Sequence, residues 1–279
     1  MANDLYKYDP SLIAAVIFII CFSISGLYHA FQIAKLRSWY FISFFVGCLV
    51  EAIGYTGRAI NAGEASREWT EGLYIIQTLF LLLGPPFFAA SIYMVLGRLI
   101  RLLEAEKFSV IRLNWLTKIF LFGDIASICV QAIGGGILSS AETSTDRNKG
   151  EMIIIIGLWI QLIFFGVFII AIIIFHRRIH REPTSASLKL HLPWQKLLIV
   201  LYVSSALIMV RSIFRVIEYI MGDDSVLMVN EVYIYLFDAT LMFIVCVGFN
   251  AFHPSSIING ETMKRIRSID SGNELGNMV

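Results

Sequence analysis

The stretch EMIIIIGLWIQLIFFGVFIIAIIIF, residues 151–175, decides the fold. After Glu151 it carries no charged residue through Phe175. A helix rises about 1.5 Å per residue, so some 20 apolar residues cross the hydrocarbon core of a bilayer. Six further stretches meet the same standard, at about 11–33, 39–60, 72–99, 116–138, 194–220 and 230–252. The expectation is an all-α polytopic membrane protein. One seven-helix membrane domain fills residues 1–255, and 256–279 form a polar cytoplasmic tail.

Composition agrees. Of 279 residues, 57% are hydrophobic and 15% charged, with a mean hydropathy of +0.74. A soluble domain is roughly 45–50% apolar and about 25% charged. That difference excludes a secreted disulfide scaffold, a disordered chain and a water-soluble nucleotide-fold or barrel enzyme. A net charge of +1 gives no field to gather nucleic acid. Pro10, Pro183, Pro193 and Pro254 fall at or between span ends, and Trp39, Trp115 and Trp194 mark span starts as interfacial anchors do. Cys21, Cys48, Cys129 and Cys246 all lie in apolar stretches and read as small buried hydrophobes rather than disulfide partners. The N-terminus lacks a cleavage signature, so the first span is expected to stay in the mature protein.

Basic residues set the orientation. The N-terminus and the loops after spans two, four and six carry Lys7, Arg67, Arg147 and Lys149. The opposite side carries Lys35, Arg37, Arg98, Arg101, Lys107, Arg112, Lys118, Arg177, Arg178, Arg181, Lys189, Lys196, Lys264, Arg265 and Arg267. Lys and Arg favour the cytoplasm, which predicts the N-terminus outside and the C-terminus inside.

Ionisable groups deep in a span cost about 2.5–3.5 kcal/mol each on insertion scales, so each needs a partner or a task. They are Glu51, Arg58, Asp124, Arg211, Arg215, Glu218 and Asp238, with Glu231 at the outer edge and His29 and His253 near the inner edge. Glu51 and Arg58 are seven residues apart, and so are Glu231 and Asp238, and Asp124 and Gln131. Arg211, Arg215 and Glu218 fall at i, i+4 and i+7. Each set makes one polar stripe, and four helices are expected to turn these stripes inward. Glu51, Glu218 and Asp238 balance Arg58, Arg211 and Arg215. The stripes are therefore expected both to hold helices in register and to line a cavity toward the outer leaflet. Gly84-Pro85-Pro86 lies mid-span, where two missing donors predict a kinked or unwound hinge. Gly134-Gly135-Gly136 reads as close helix packing.

Absent motifs narrow the function. No G-x-x-x-x-G-K-[ST] couples ATP, no lysine in the seventh span holds retinal, and no H-E-x-x-H or G-x-S-x-G marks a hydrolase. His176 and His180 stand beside Arg177 and Arg178 and read as a basic helix end rather than a metal site. No catalytic residue, cofactor or metal is assigned. The eight Lys and Arg between Arg98 and Lys118 and between Arg177 and Arg181 offer a cytoplasmic partner a surface, so a seven-helix receptor is the second reading. A lipid hydrolase is a remote one, and a homo-oligomer stays open.

The chain resembles the fungal RTA-like family of lipid-translocating exporters over about 1–255. The resemblance rests on Glu51-Ala-Ile-Gly-Tyr55-Thr-Gly-Arg58, on Pro85-Pro86-Phe-Phe-Ala-Ala-Ser-Ile-Tyr93 with Gly97-Arg98, and on Asp124 through Gln131-Ala-Ile-Gly-Gly-Gly136. Arg211-Ser-Ile-Phe-Arg215-Val-Ile-Glu218, Glu231 with Tyr235-Leu-Phe-Asp238, and His253-Pro254 complete it. It implies amphipathic lipids or lipid-like toxicants as ligands, in a fungal plasma membrane or endomembrane. Members are linked to sphingoid-base release, 7-aminocholesterol resistance and porphyrin movement. The short N-terminus has no glycosylation sequon, so a glycosylated topology does not carry over. Taken with the residues, it predicts ATP-independent movement or sensing of a sphingoid-base-like lipid. A porphyrin- or sterol-like ligand is the alternative cargo. The head group would meet Glu51, Arg58, Asp124, Gln131, Arg211, Arg215, Glu218 and Asp238, with Gly84, Pro85 and Pro86 as hinge.

Overall fold

Seven helices long and apolar enough to cross a membrane follow one another in a computed structural model that describes residues 6, 8–64, 69–141, 143–189, 194–221 and 229–258. They are α1 (Leu12–Leu36), α2 (Ile42–Gly63), α3 (Glu71–Leu102), α4 (Leu113–Ser139), α5 (Ser144–Arg181), α6 (Trp194–Met221) and α7, which begins at Glu231. The last is built from Glu231–Ile234, a π-helical turn at Tyr235–Ala239, and Thr240–Ala251. No strand occurs among the described residues. The polar tail lies outside them, apart from its first residues.

Local chemistry starts and stops these helices. The Ser11 hydroxyl accepts from the Ala14 N–H at 3.3 Å and caps α1. At the other end Arg37 adopts left-handed backbone with φ 51°, and its N–H returns to the Ile33 carbonyl. A 3₁₀ turn, Trp39–Phe41, feeds α2. The Thr143 hydroxyl caps α5, where the Arg147–Glu151 and Lys149–Asp146 pairs extend the helix beyond its apolar stretch. Lipid fixes the length of the apolar run, but helical hydrogen bonding continues past it. The observed helix therefore overshoots the expected 151–175 at both ends.

Neighbours in sequence pack as neighbours in space. α2 lies between α1 and α3, α4 pairs with α5, and α6 joins α5 to α7. α7 closes the ring against α1, and α3 reaches across to α6. α3 is the enclosed member, with 72% of its apolar window buried against 28% for α1 and α4. Ile13, Leu27, Phe122 and Ile163 are exposed on the outer surface, as a lipid-facing shell requires. Cys48 and Cys246 are buried with their sulfurs 3.7 Å apart, whereas Cys129 is exposed and Cys21 is half-buried. Only two of the four thiols are therefore core residues.

Small residues let the α4–α5 pair approach closely. A Cβ at Gly134 would stand 2.8 Å from the Gly150 carbonyl, and one at Gly157 would stand 3.0 Å from the Ser127 carbonyl. The expected close packing at Gly134 is present, while Gly136 faces open space.

Of the two outcomes expected at Gly84-Pro85-Pro86, a kink or an unwinding, α3 does not unwind. Helix runs without interruption from Glu71 to Leu102. Pro85 has no N–H to give the Leu81 carbonyl, one turn earlier. The Arg211 guanidinium of α6 donates to that carbonyl instead. A neighbouring side chain thus satisfies the backbone group that proline frees.

Candidate functional site

The polar interior begins at the N-terminal end of the bundle, around Arg58 of α2. Its side chain is fully buried and pairs with Glu231 at 2.8 Å. It also donates to the hydroxyls of Tyr8 at 2.8 Å and Tyr235 at 3.1 Å. The rings of Tyr6, Tyr8 and Tyr235 have their centroids 5.6, 5.5 and 5.3 Å from the guanidinium carbon. Three electron-rich faces and a carboxylate form a cage whose occupant is the protein's own cation. Tyr6 donates to Gln77 at 2.6 Å and accepts from Asn61 at 3.3 Å. Burial pushes the Tyr6 and Tyr8 phenols above their usual range, against the pull of the Arg58 charge, and both stay neutral donors. The Ser11 N–H completes the junction by donating to Glu231 at 2.8 Å. The segment before α1 therefore covers this end of the site.

Deeper in the bundle, α6 and α7 meet through Asp238. Arg211 Nε donates to Asp238 Oδ1 at 2.5 Å, and Arg215 donates to Oδ2. Arg215 Nη1 also reaches Glu218 Oε2 at 2.8 Å. Asp238 sits within the π turn, whose extra residue breaks the regular phase of the helix. The Thr240 hydroxyl donates to the Tyr235 carbonyl at 2.8 Å within that wide turn. Arg211, Asp238 and Glu218 are at most 1% exposed. Two cations and two carboxylates close a neutral set.

Glu51 stands apart. It lies about 18 Å along α2 from Gly63, near mid-span, at about 1.5 Å per residue. Its side chain is 0% exposed and both carboxyl oxygens lack a hydrogen-bond partner among the described residues. The carboxyl group packs against Gly84 of α3 so tightly that a Cβ there would overlap Oε1. Gly84 is thus the recess into which Glu51 fits. The Tyr55 hydroxyl, Arg211 Nη1 and Arg215 Nε are likewise buried without a partner among the described residues.

Several expectations are corrected by this arrangement. Glu51 does not share the Arg58 cation, because Glu231 takes it. Glu231, expected at the edge of the last span, stands there as the first residue of α7, and the structure adds its pairing with Arg58. Tyr6 and Tyr8 precede any periodic segment, so nothing in the sequence marked them. The four stripes do not all converge. Those of α2, α6 and α7 meet, while the α4 stripe turns to α3 and α5 because Gly134 and Gly157 draw α4 onto α5. There Gln131 donates to Ser127 at 2.8 Å and Gln161 at 3.1 Å, and Asp124 faces Tyr93. Asp124 and Gln131 therefore leave the central site. The expected cavity toward the outer leaflet is closed in this state, with Arg58 and Glu51 fully buried.

At the opposite end His29 Nε2 lies 3.2 Å from the Cys246 carbonyl, its ring 4.7 Å from Phe44. His176 meets the Tyr202 hydroxyl at 3.2 Å. No group of three metal-ligating side chains occurs among the described residues.

Comparison with known proteins places this architecture. The family model described as "RTA1 like protein" matches residues 44–261. Protein RTA1 of Saccharomyces cerevisiae is 36% identical, over 91% of this chain and 87% of its own length. Protoporphyrin uptake protein 1 of the same species is 33% identical, over 88% and 90%. Sphingoid long-chain base transporter RSB1, also from S. cerevisiae, is 26% identical, over 94% and 76%. No solved structure matches. The match across all but the first helix and the full-length likeness to these relatives make the chain a member of the RTA1-like family.

Proposed function

We propose that this integral membrane protein moves an amphipathic lipid carrying a cationic head group across a fungal membrane, without ATP and without enzymatic chemistry. The observation that carries the reading is Glu51, a fully buried carboxylate that no described residue pairs. A buried anion left without hydrogen bonds is costly, and intramembrane ionisable groups mark substrate pathways. An ammonium head group supplies the missing partner, and its acyl tail suits the apolar seams between helices. The sphingoid base named for one relative carries such an amine on a long apolar tail and fits this path.

The distribution of Lys and Arg supports an N-terminus outside, and we place the bundle in the plasma membrane, with an endomembrane as the alternative. The Arg58–Glu231 cage forms the outer gate, and Arg211, Arg215 and Asp238 form the rigid wall of the site. The test is reconstitution into vesicles with a fluorescent sphingoid base in one leaflet. Transfer to the other leaflet should exceed that of protein-free vesicles with no nucleotide added, and Glu51→Gln should slow it at least tenfold. Equal transfer with and without protein would remove the reading.

A further inference from the structure

We propose that Glu51 is an exchange site at which one proton and the ammonium group of a long-chain amine compete, so that movement of the amine is tied to movement of a proton in the opposite direction. This deepens the translocation reading above and rests on it.

Charge counting within the closed structure is the first support. Asp238 takes Arg211 and Arg215, Arg215 also holds Glu218, and Arg58 holds Glu231. Every buried cation of α2 and α6 is thereby matched one for one by a carboxylate. Glu51 is the surplus acid of this set, and at 0% exposure its carboxyl group is shielded from water and makes no hydrogen bond among the described residues. Such groups neutralise instead of remaining charged. The proposed exchange starts from Glu51 carrying its proton.

The second support is the polar capacity left unused around it. The groups facing Glu51 are Asp238 and Cys246 from α7, Arg211 and Arg215 from α6, and Tyr55 one turn along its own helix. The Tyr55 hydroxyl, Arg211 Nη1 and Arg215 Nε are buried without partners among the described residues. Buried polar atoms in native proteins rarely stay unsatisfied; the Tyr55 hydroxyl can accept from an ammonium, while the two arginine N–H groups are donors that the ionised Glu51 carboxylate can take up. The Tyr55 ring adds an electron-rich group beside Glu51 that favours a cation.

The exchange balances. The Glu51 carboxylic acid loses its proton to water as the ammonium arrives, and the product is a carboxylate–ammonium pair. One positive charge enters for one that leaves, so the buried network stays neutral at every stage. Gly84 leaves room for this exchange, because any side chain there would occupy the carboxyl position.

The experiment uses the full-length protein in nanodiscs with sphinganine as probe. An alkylammonium, like that of lysine, titrates near pH 10.4, so between pH 5.5 and 7.5 the probe itself neither gains nor loses a proton. Affinity for the wild-type protein should rise about tenfold per pH unit while Glu51 is protonated, and each bound amine should release about one proton into weakly buffered solution. Glu51→Gln should abolish the slope and the release. Sphinganine binding that is independent of pH and releases no proton would overturn the exchange while leaving translocation intact. A slope that persists in Glu51→Gln would assign the exchange to another group and overturn the proposal. No binding by the wild type at any pH would instead remove the translocation reading. If Glu51→Gln fails to fold, Glu51→Ser takes its place in both measurements, with the same outcomes.

Discussion

Asp238 accepts from two guanidinium groups, whereas Glu51, equally buried, accepts from none among the described residues. Breaking a buried ion pair typically costs about 3–5 kcal/mol, because the remaining charge is left uncompensated. Asp238→Asn strands two arginines and should lower the yield of folded protein and its thermal midpoint sharply. Glu51→Gln replaces an unpaired carboxylic acid by an amide of the same shape. Its cost should stay below about 1.5 kcal/mol, the scale of one ordinary hydrogen bond. Thermal unfolding of the two purified variants in the same detergent reads the difference. Equal losses would mean that Glu51 is ionised and paired in the folded protein. The residue types and depths of this site were legible in the sequence, since charge in a span is costly wherever it falls. The pairing was not legible, because sequence spacing fixes which residues share a face of one helix but not which helix that face meets. Arg58 shares a face of α2 with Glu51, and its partner is Glu231 on a distant helix.

Elements were easier to read where lipid sets their length and harder where a side chain repairs the backbone. All seven spans were recovered within a few residues except at the ends of α5, where polar caps carry the helix past its apolar run. The Pro85-Pro86 pair was expected to kink or unwind α3 because the rule for isolated helices counts only backbone donors. It does not unwind the helix, and Arg211 replaces the donor that Pro85 lacks. The π turn at Asp238 left no sequence signal, as it depends on which carbonyls Thr240 and the neighbouring helices can satisfy. A specific consequence follows for Pro85→Ala. The new N–H competes with Arg211 for the Leu81 carbonyl, and a proline within a helix costs roughly 3 kcal/mol, so stability should hold or rise. Arg211 then loses one of its two anchors and becomes free to turn toward Glu51. Sphingoid-base transfer should fall while the thermal midpoint does not. If both are unchanged, the link between α3 and the Arg211–Asp238 pair has no part in transport.

At the scale of the whole molecule the bundle is a neutral polar thread inside a lipid-facing shell, closed at one end by the cage around Arg58. The direction in which that end points determines whether Glu51 exchanges its proton with the cytoplasm or the exterior when the cage is shut. Lys7, Arg67, Arg147 and Lys149 lie on the caged side against fifteen basic residues on the other. Because anionic lipid and the insertion machinery retain Lys and Arg in the cytoplasm, this difference in the sequence is the ground for the proposed outward orientation of the cage. An epitope placed before residue 1 should be labelled by antibody on intact cells, and one placed after Val279 only after permeabilisation. An odd number of spans demands that the two tags differ. Labelling of both on intact cells, or of neither, would contradict the seven-span topology itself. The reverse pattern, with only the C-terminal tag reached from outside, would keep the topology and turn the cage toward the cytoplasm. The basic loops after α1, α3 and α5 would then face outward, and the Arg58 cage would have to serve uptake from the cytoplasmic leaflet.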